Sequence, residues 1–199
     1  MTTDASQPRH PDGETDTRSV RTRRRLLDGA LAAMDDRGFH ATRVYDIVRH
    51  PGVSDGAFYL YFDDKQELFR ILAAEAADDM VARVAELAVE PPPTGEELVD
   101  WLVAFVDGYR RHGAVIRAWM EDHARDRVLR RLADDAFARV VDDLGRSVDV
   151  TALGPLGPVA LLAMLERFAY FATSRDLPAD REALRSLATL VERGFLTTA

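Results

Sequence analysis

The chain has 199 residues, 47% of them apolar and 30% charged, with no cysteine and a formal net charge of −8. That length admits one domain, or a small one fused to a larger one, and the apolar content excludes disorder throughout, while the absence of cysteine excludes disulfides and thiolate-bound metal. No apolar run approaches the roughly 20 residues of a membrane span, and the opening MTTDASQPRHPDGETDT lacks the apolar stretch of a signal peptide, so a cytoplasmic protein with no membrane partner is expected.

Residues 1–17 are rich in Pro, Asp, Thr and Ser without periodicity and read as a disordered tail. From about Val20, the apolar positions Leu26, Leu27, Ala30, Leu31 and Met34 recur as on one face of a helix, and Gly38 supplies a stop. Thr42 is expected to cap a second, short helix with Val44, Ile47 and Val48 on one side. Pro51 ends that helix near Arg49. Gly52 suits a tight turn, and Ser54 the N-cap of a third short helix from Asp55 to Tyr61.

Asp63 and Asp64 open a long helix with Leu68, Leu72, Ala76, Met80, Val84 and Leu87 inward, ended by Pro91 to Pro93. Thr94 and Glu97 form a capping-box pattern ahead of Leu98, Leu102, Phe105 and Tyr109, with a stop expected at Gly113. Further helices are expected over Ala114 to about His123, about Arg127 to Arg146, Val159 to Ser174 and Asp180 to Phe195, with a loop over Thr151 to Pro158. The sum is an all-α protein of about nine helices with no strand-like alternation.

Charge is unevenly distributed. Residues 1–17 carry −3, residues 18–65 carry +2 from nine basic and seven acidic groups, and residues 66–199 carry −7. Five arginines (Arg18, Arg21, Arg23, Arg24, Arg25) fall within eight positions. A solvated charge run is the plain reading of such a cluster, but the helix, short helix, Gly turn, short helix that follows is the punctuation of a helix-turn-helix. In the aromatic run 58–62, Phe58 and Phe62 share one helical face and suit a core, whereas Tyr59 and Tyr61 point elsewhere and offer hydroxyls to phosphates.

The run Gly38-Phe39-x-x-Thr42, Asp46-Ile47, then Gly52-Val53-Ser54-x-Gly56-x-Phe58-Tyr59-x-Tyr61-Phe62-x-x-Lys65-x-x-Leu68 resembles the TetR family of transcriptional regulators. The likeness covers the first third of the chain. It implies a helix-turn-helix DNA-binding domain over residues 18–65 and a helical effector-binding and dimerisation domain over residues 66–199. It further implies a homodimer on a palindromic double-stranded DNA operator, acting as a repressor that a small-molecule effector releases.

Carried over by motif position, Tyr45 and Ser54, Asp55, Gly56 and Ala57 fall where the family meets base edges. Thr42, Arg43, Tyr59, Tyr61 and Lys65 fall at or beside phosphate-contacting positions. Lys65, the only lysine, is badly placed for its helix dipole and well placed for an adjacent phosphate. Beside the motif, Arg21 and Arg24 gain a reading as phosphate or groove contacts.

Three positions depart from the family pattern. Pro51 stands where Ala is commoner, Arg43 replaces a small hydroxyl residue, and Asp55 replaces a basic or neutral one. Asp55 has two readings, as an acceptor for a cytosine amine or as a favourable charge at a helix N-terminus.

In the remaining chain, Leu161, Met164, Leu165, Phe168 and Phe171 with Leu184, Leu187, Val191 and Phe195 occupy the place of the family's dimer face. A four-helix interface is expected, with a purely intramolecular core as the alternative. Candidate pocket residues are Trp101, Phe105, Tyr109, Trp119, Met120, His123 and Phe137, which suit a largely apolar or aromatic ligand.

Catalysis is not expected. Glu121, Asp122 and His123 are adjacent and splay apart on a helix, no histidine pair has metal-ligand spacing, and no Gly-rich phosphate loop or GxSxG element is present. No cofactor is expected. The alternative function is an architectural DNA-binding or protein-interaction module of the same fold with no effector.

Overall fold

The computed structural model describes residues 12–49, 52–122, 126–174 and 180–196. Those residues form nine helices: α1 (Asp12–Arg37), α2 (Val44–Arg49), α3 (Asp55–Phe58), α4 (Lys65–Ala85), α5 (Gly95–Asp122), α6 (Arg127–Ser147), α7 (Val150–Leu153), α8 (Gly157–Ser174) and α9 (Arg181–Gly194). The only β pairing among them is an isolated bridge between Val148 and Leu196. Among the described residues no helix is long and apolar enough to cross a membrane.

The helix ends follow local chemistry. Gly38, at φ 77°, closes α1, its N–H donating to the Met34 carbonyl at 2.8 Å. Asp64, Asp126 and Asp180 cap α4, α6 and α9 through their carboxylates. Across the start of α4 the Glu67 side chain returns to accept from the Asp63 N–H at 2.6 Å, which ties the residue before the cap to the first turn.

Several expectations need correction. α1 starts at Asp12, so the described part of the expected tail, residues 12–17, is helical, while residues 1–11 lie outside the described residues. The sequence from Glu14 to Val20 holds no Gly or Pro to stop the helix before its apolar stripe begins.

Gly113 does not stop α5, which runs through it to Asp122. It is buried inside the helix, without the positive φ of Gly38 and Gly52. The third helix ends at Phe58, and the expected loop after α6 holds the short α7.

Two apolar clusters share α4. One joins Leu26, Leu27, Met34, Ile47, Phe58 and Phe62 to Leu68, Leu72 and Ala76, and draws in Val115, Ala118 and Leu129 from α5 and α6. The other begins at Val81 and gathers α5, α6, α8 and α9. The cores therefore divide in the middle of α4 and not at its start. α5 is the central helix, with α1, α4, α8 and α9 packed against it, and α6 bridges α4 and α8.

The expected dimer stripe is largely internal. Leu161, Leu165, Leu184, Leu187 and Val191 are all buried within one chain, because α8 and α9 each turn their strongest apolar side onto α5. Phe168 and Phe171 remain partly exposed.

Candidate nucleic-acid interface and cavity

The geometry of α2 and α3 is set from beneath. Phe58 and Phe62 are 0% and 2% exposed with ring centroids 5.4 Å apart, and they hold the α3 turn onto α1 and α4. Phe39 stacks on Phe69 at 4.2 Å, which seats the loop leaving α1 against α4. Arg37 reaches Asp46 at 3.0 Å, and Asp46 in turn accepts from the Arg43 N–H at 2.9 Å, so the start of α2 is tied to the end of α1.

Two expected phosphate contacts face inward. Thr42 is 2% exposed and does not cap α2 with its side chain; its hydroxyl lies 2.7 Å from the Gly38 carbonyl and 3.2 Å from that of Ala33. The Lys65 ammonium donates to the carbonyls of Phe39 and Thr42, each at 2.8 Å, and lies 4.3 Å from the Phe39 ring centroid. A cation in the first turn of a helix is poorly matched to the helix dipole, and here two carbonyl oxygens and a ring face supply the negative partners.

The remaining motif residues are displayed outward. Tyr45 is 60% and Tyr59 61% exposed, and Arg43, Ser54, Asp55 and Gly56 are exposed as well. Ala57 and Tyr61 are half-buried, Tyr61 packing against the α1–α4 core. The Ser54 hydroxyl accepts from the Ala57 N–H at 3.3 Å, so it caps α3. Asp55 sits in the first turn of α3, where its charge suits the dipole.

Pro51 lies outside the described residues. Two exposed neighbours escaped the motif reading: Arg49, one turn after Tyr45, and Leu60, 81% exposed within the aromatic run. An apolar residue at the tip of a turn was the available signal for the second.

The arginine cluster divides. Arg24 pairs with Asp28 and Glu75, both at 2.9 Å. Arg23 lies over the Phe62 ring at 5.5 Å. Arg21 is exposed on α1.

A second feature lies between α4, α5, α6 and α8: a cavity of about 390 Å³ that brings together Phe105, Tyr109, Trp119, Met120 and Phe137. Its floor includes the buried Phe105 and Tyr109, while Met120 and Phe137 form an exposed rim at 65% and 50%. Trp101 is not part of it: the indole stacks on Phe105 at 5.2 Å and donates to the Arg83 carbonyl at 2.8 Å. His123 lies outside the described residues. No cluster of three metal-binding side chains occurs among the described residues.

The start of α6 is fixed by charge. Arg70 on α4 meets Asp126 at 2.8 Å. Desolvation pushes the Asp126 carboxyl up, but Arg70 and the N–H groups of Leu129 and Val128 outweigh it and hold the group below its ordinary range.

Residues 26–72 match the family model described as bacterial regulatory proteins, tetR family. The HTH-type transcriptional regulator YdgC of Bacillus subtilis is 38% identical over 71 residues, which cover 36% of this chain and 34% of that protein. The HTH-type transcriptional regulator YfiR of the same organism is 24% identical over 149 residues, covering 69% and 71%. The chain thus matches only about a third of the length of the first curated relatives. Over the whole fold, a TetR-family member from Streptomyces coelicolor A3 superposes with a TM-score of 0.66 at 20% identity, covering 88% of this chain and 98% of that one. The relatives are regulators by name, and none is described as an enzyme.

Proposed function

We propose that the chain, whose residues 26–72 match the family model described as bacterial regulatory proteins, tetR family, and which shares the fold of a solved member, is a DNA-binding transcriptional regulator of that family. It binds a palindromic operator as a homodimer, represses there, and is released by a small apolar or aromatic effector in the α4–α5–α6–α8 cavity. Residues 18–65, their core completed by the first half of α4, form the DNA-binding domain, and the rest of residues 66–199 the effector and dimerisation domain, with residues 1–17 ahead of both. A cytoplasmic location fits this role.

The observation that carries the reading is the outward display of Tyr45, Ser54, Asp55, Gly56 and Tyr59 on two short helices whose undersides are locked by Phe58, Phe62 and the Lys65 contacts. Base edges are read by exposed side chains on a rigid support. Arg21, Arg24, Arg43, Tyr59 and Tyr61 supply the phosphate side, Arg24 only by exchanging its carboxylate partners. The dimer forms on the outer sides of α8 and α9 through Met164, Phe168 and Leu190, the last 62% exposed.

Selection of bound duplexes from a random pool tests the reading. The expected product is an inverted repeat whose half-sites are set by a two-fold protein. Enrichment of no sequence, or of a single undivided site, overturns it.

A further inference from the structure

The cavity between α4, α5, α6 and α8 has a one-sided hydrogen-bonding character. Its polar lining groups among the described residues are Tyr109, Trp119, Asp134 and Glu166, and no described Lys, Arg or His lines it. The two neutral donors are already engaged. The Trp119 indole N–H donates to the Leu129 carbonyl at 3.0 Å, and the Tyr109 hydroxyl donates to Glu166 Oε1 at 3.2 Å. Burial, followed by the Glu166 charge, pushes the Tyr109 phenol up, which keeps its proton in place for that bond. What remains toward a guest is acceptors only: two carboxylates and the phenolic oxygen.

The walls add to this. Phe105, Phe137, Tyr109 and Trp119 present aromatic surface, and a cation within about 6 Å of such a ring is attracted to its negative face. Two arginines act on this end of the cavity from outside: Arg117, whose charge reaches Tyr109, and Arg167, whose Nη2 lies 3.8 Å from Glu166 Oε2. Arg167 is mostly exposed and its guanidinium lies over the Tyr170 ring at 5.2 Å. It balances one carboxylate from outside the cavity and leaves Asp134, which is exposed at the lining. An anionic guest meets two like charges and no available donor, which is unfavourable on both counts.

Resting on the effector reading above, we propose that the cavity selects a cationic amphiphile, an aromatic or apolar body carrying a protonated amine, with Glu166 as the charge-selecting residue and Asp134 as its support.

The probes are three naphthalenes of one shape: 2-naphthylmethylammonium, 2-naphthalenemethanol and 2-naphthoate, titrated into the full-length protein by calorimetry. The ammonium is expected to bind at least tenfold more tightly than the alcohol, and naphthoate more weakly than either. Glu166→Gln keeps the Tyr109 hydrogen-bond acceptor and is expected to reduce ammonium affinity about tenfold while leaving the alcohol within twofold. Asp134→Asn is expected to act in the same direction more weakly.

Equal binding of all three probes, or a preference for naphthoate, overturns the charge assignment while leaving the effector site standing. An ammonium preference that Glu166→Gln leaves intact overturns the role of Glu166. Binding of none of them, with operator affinity preserved, overturns both the charge assignment and the effector reading.

Discussion

At the scale of single residues, Lys65 separates two kinds of contribution to DNA binding. A lysine on a phosphate releases a counterion, so its removal lowers the salt slope of binding by about 0.9. A lysine that ties the α1–α2 loop to α4 does not. With its ammonium on the carbonyls of Phe39 and Thr42, Lys65→Met is expected to cost about 1–2 kcal/mol of stability, a fall of roughly 2–8 °C in Tm at this size. Operator affinity then falls through loosening of α2, with the salt slope unchanged. Arg43→Ala is expected to do the reverse: little change in Tm and a loss of about 0.9 in slope, because Arg43 is exposed at the start of α2. Gel-shift titrations across salt, paired with thermal unfolding of each variant, check both. The motif spacing alone placed both residues beside the phosphates; spacing says which side of the turn a residue occupies, whereas the direction of a long side chain depends on which carbonyls the fold brings within reach, here from positions more than 20 residues away in the chain.

At the scale of elements, the helices were legible in sequence wherever an apolar stripe met a cap, as at the starts of α4 and α9, since both signals are local; the expected end of α4 at Pro91 to Pro93 was not, for the helix stops at Ala85, before Leu87. Gly113 was not, because a glycine stops a helix only where the chain takes up the left-handed conformation, and that choice is made by the neighbours it packs among. A Cβ at Gly113 meets only the flexible tip of Arg117, at 3.1 Å. Arg117 has little to lose by moving, its contact with Asp35 being an exposed one at 3.6 Å. Gly113→Ala is therefore expected to raise stability by about 0.5–1 kcal/mol, read as a higher denaturation midpoint with an unchanged denaturant slope.

The join between α5 and α9 carries the clearest pH signature. Hydrogen bonds from Arg185 and then Arg181 to Glu96, at 2.7 and 2.8 Å, bring its carboxyl from 4.5 down to about 2. Between those values the folded chain holds Glu96 ionised while the unfolded chain protonates it, so acid favours unfolding. The contribution is complete above about pH 4.5 and lost as pH falls towards 2. Glu96→Gln is expected to lower Tm at neutral pH and to converge on the wild type in acid, and melting curves in buffers across that window test it.

At the scale of the whole molecule, the expected dimer residues illustrate what periodicity cannot decide. An apolar stripe reports that a helix face is covered and not whether the cover is the same chain or a second copy. Leu161, Leu165, Leu184, Leu187 and Val191 satisfy their stripe against α5, so a second copy docking on α8 and α9, as proposed, has their outer sides to use. There Leu190 stands 62% exposed, with the small residues Ser186 and Gly194 one turn away on either side, a combination that lets a partner helix approach closely. A two-fold operator read by two linked heads gains affinity from linkage itself, typically 10²–10⁴-fold over one head. Leu190→Glu places a charge at the centre of that contact without touching the core of either unit. It is expected to convert a species of about twice 22.2 kDa into a monomer in sedimentation, with an unchanged Tm at low concentration and operator affinity reduced by about 10²-fold. Binding to a single half-site should stay the same, since Tyr45, Arg43 and Tyr59 lie far from α9 in the chain, and the buried residues beneath them, Ile47, Val48 and Phe58, belong to a different apolar cluster from those of α9. A variant that remains dimeric would place the interface elsewhere than on α9, and a variant that loses half-site binding as well would show that the heads depend on the dimer for their own fold.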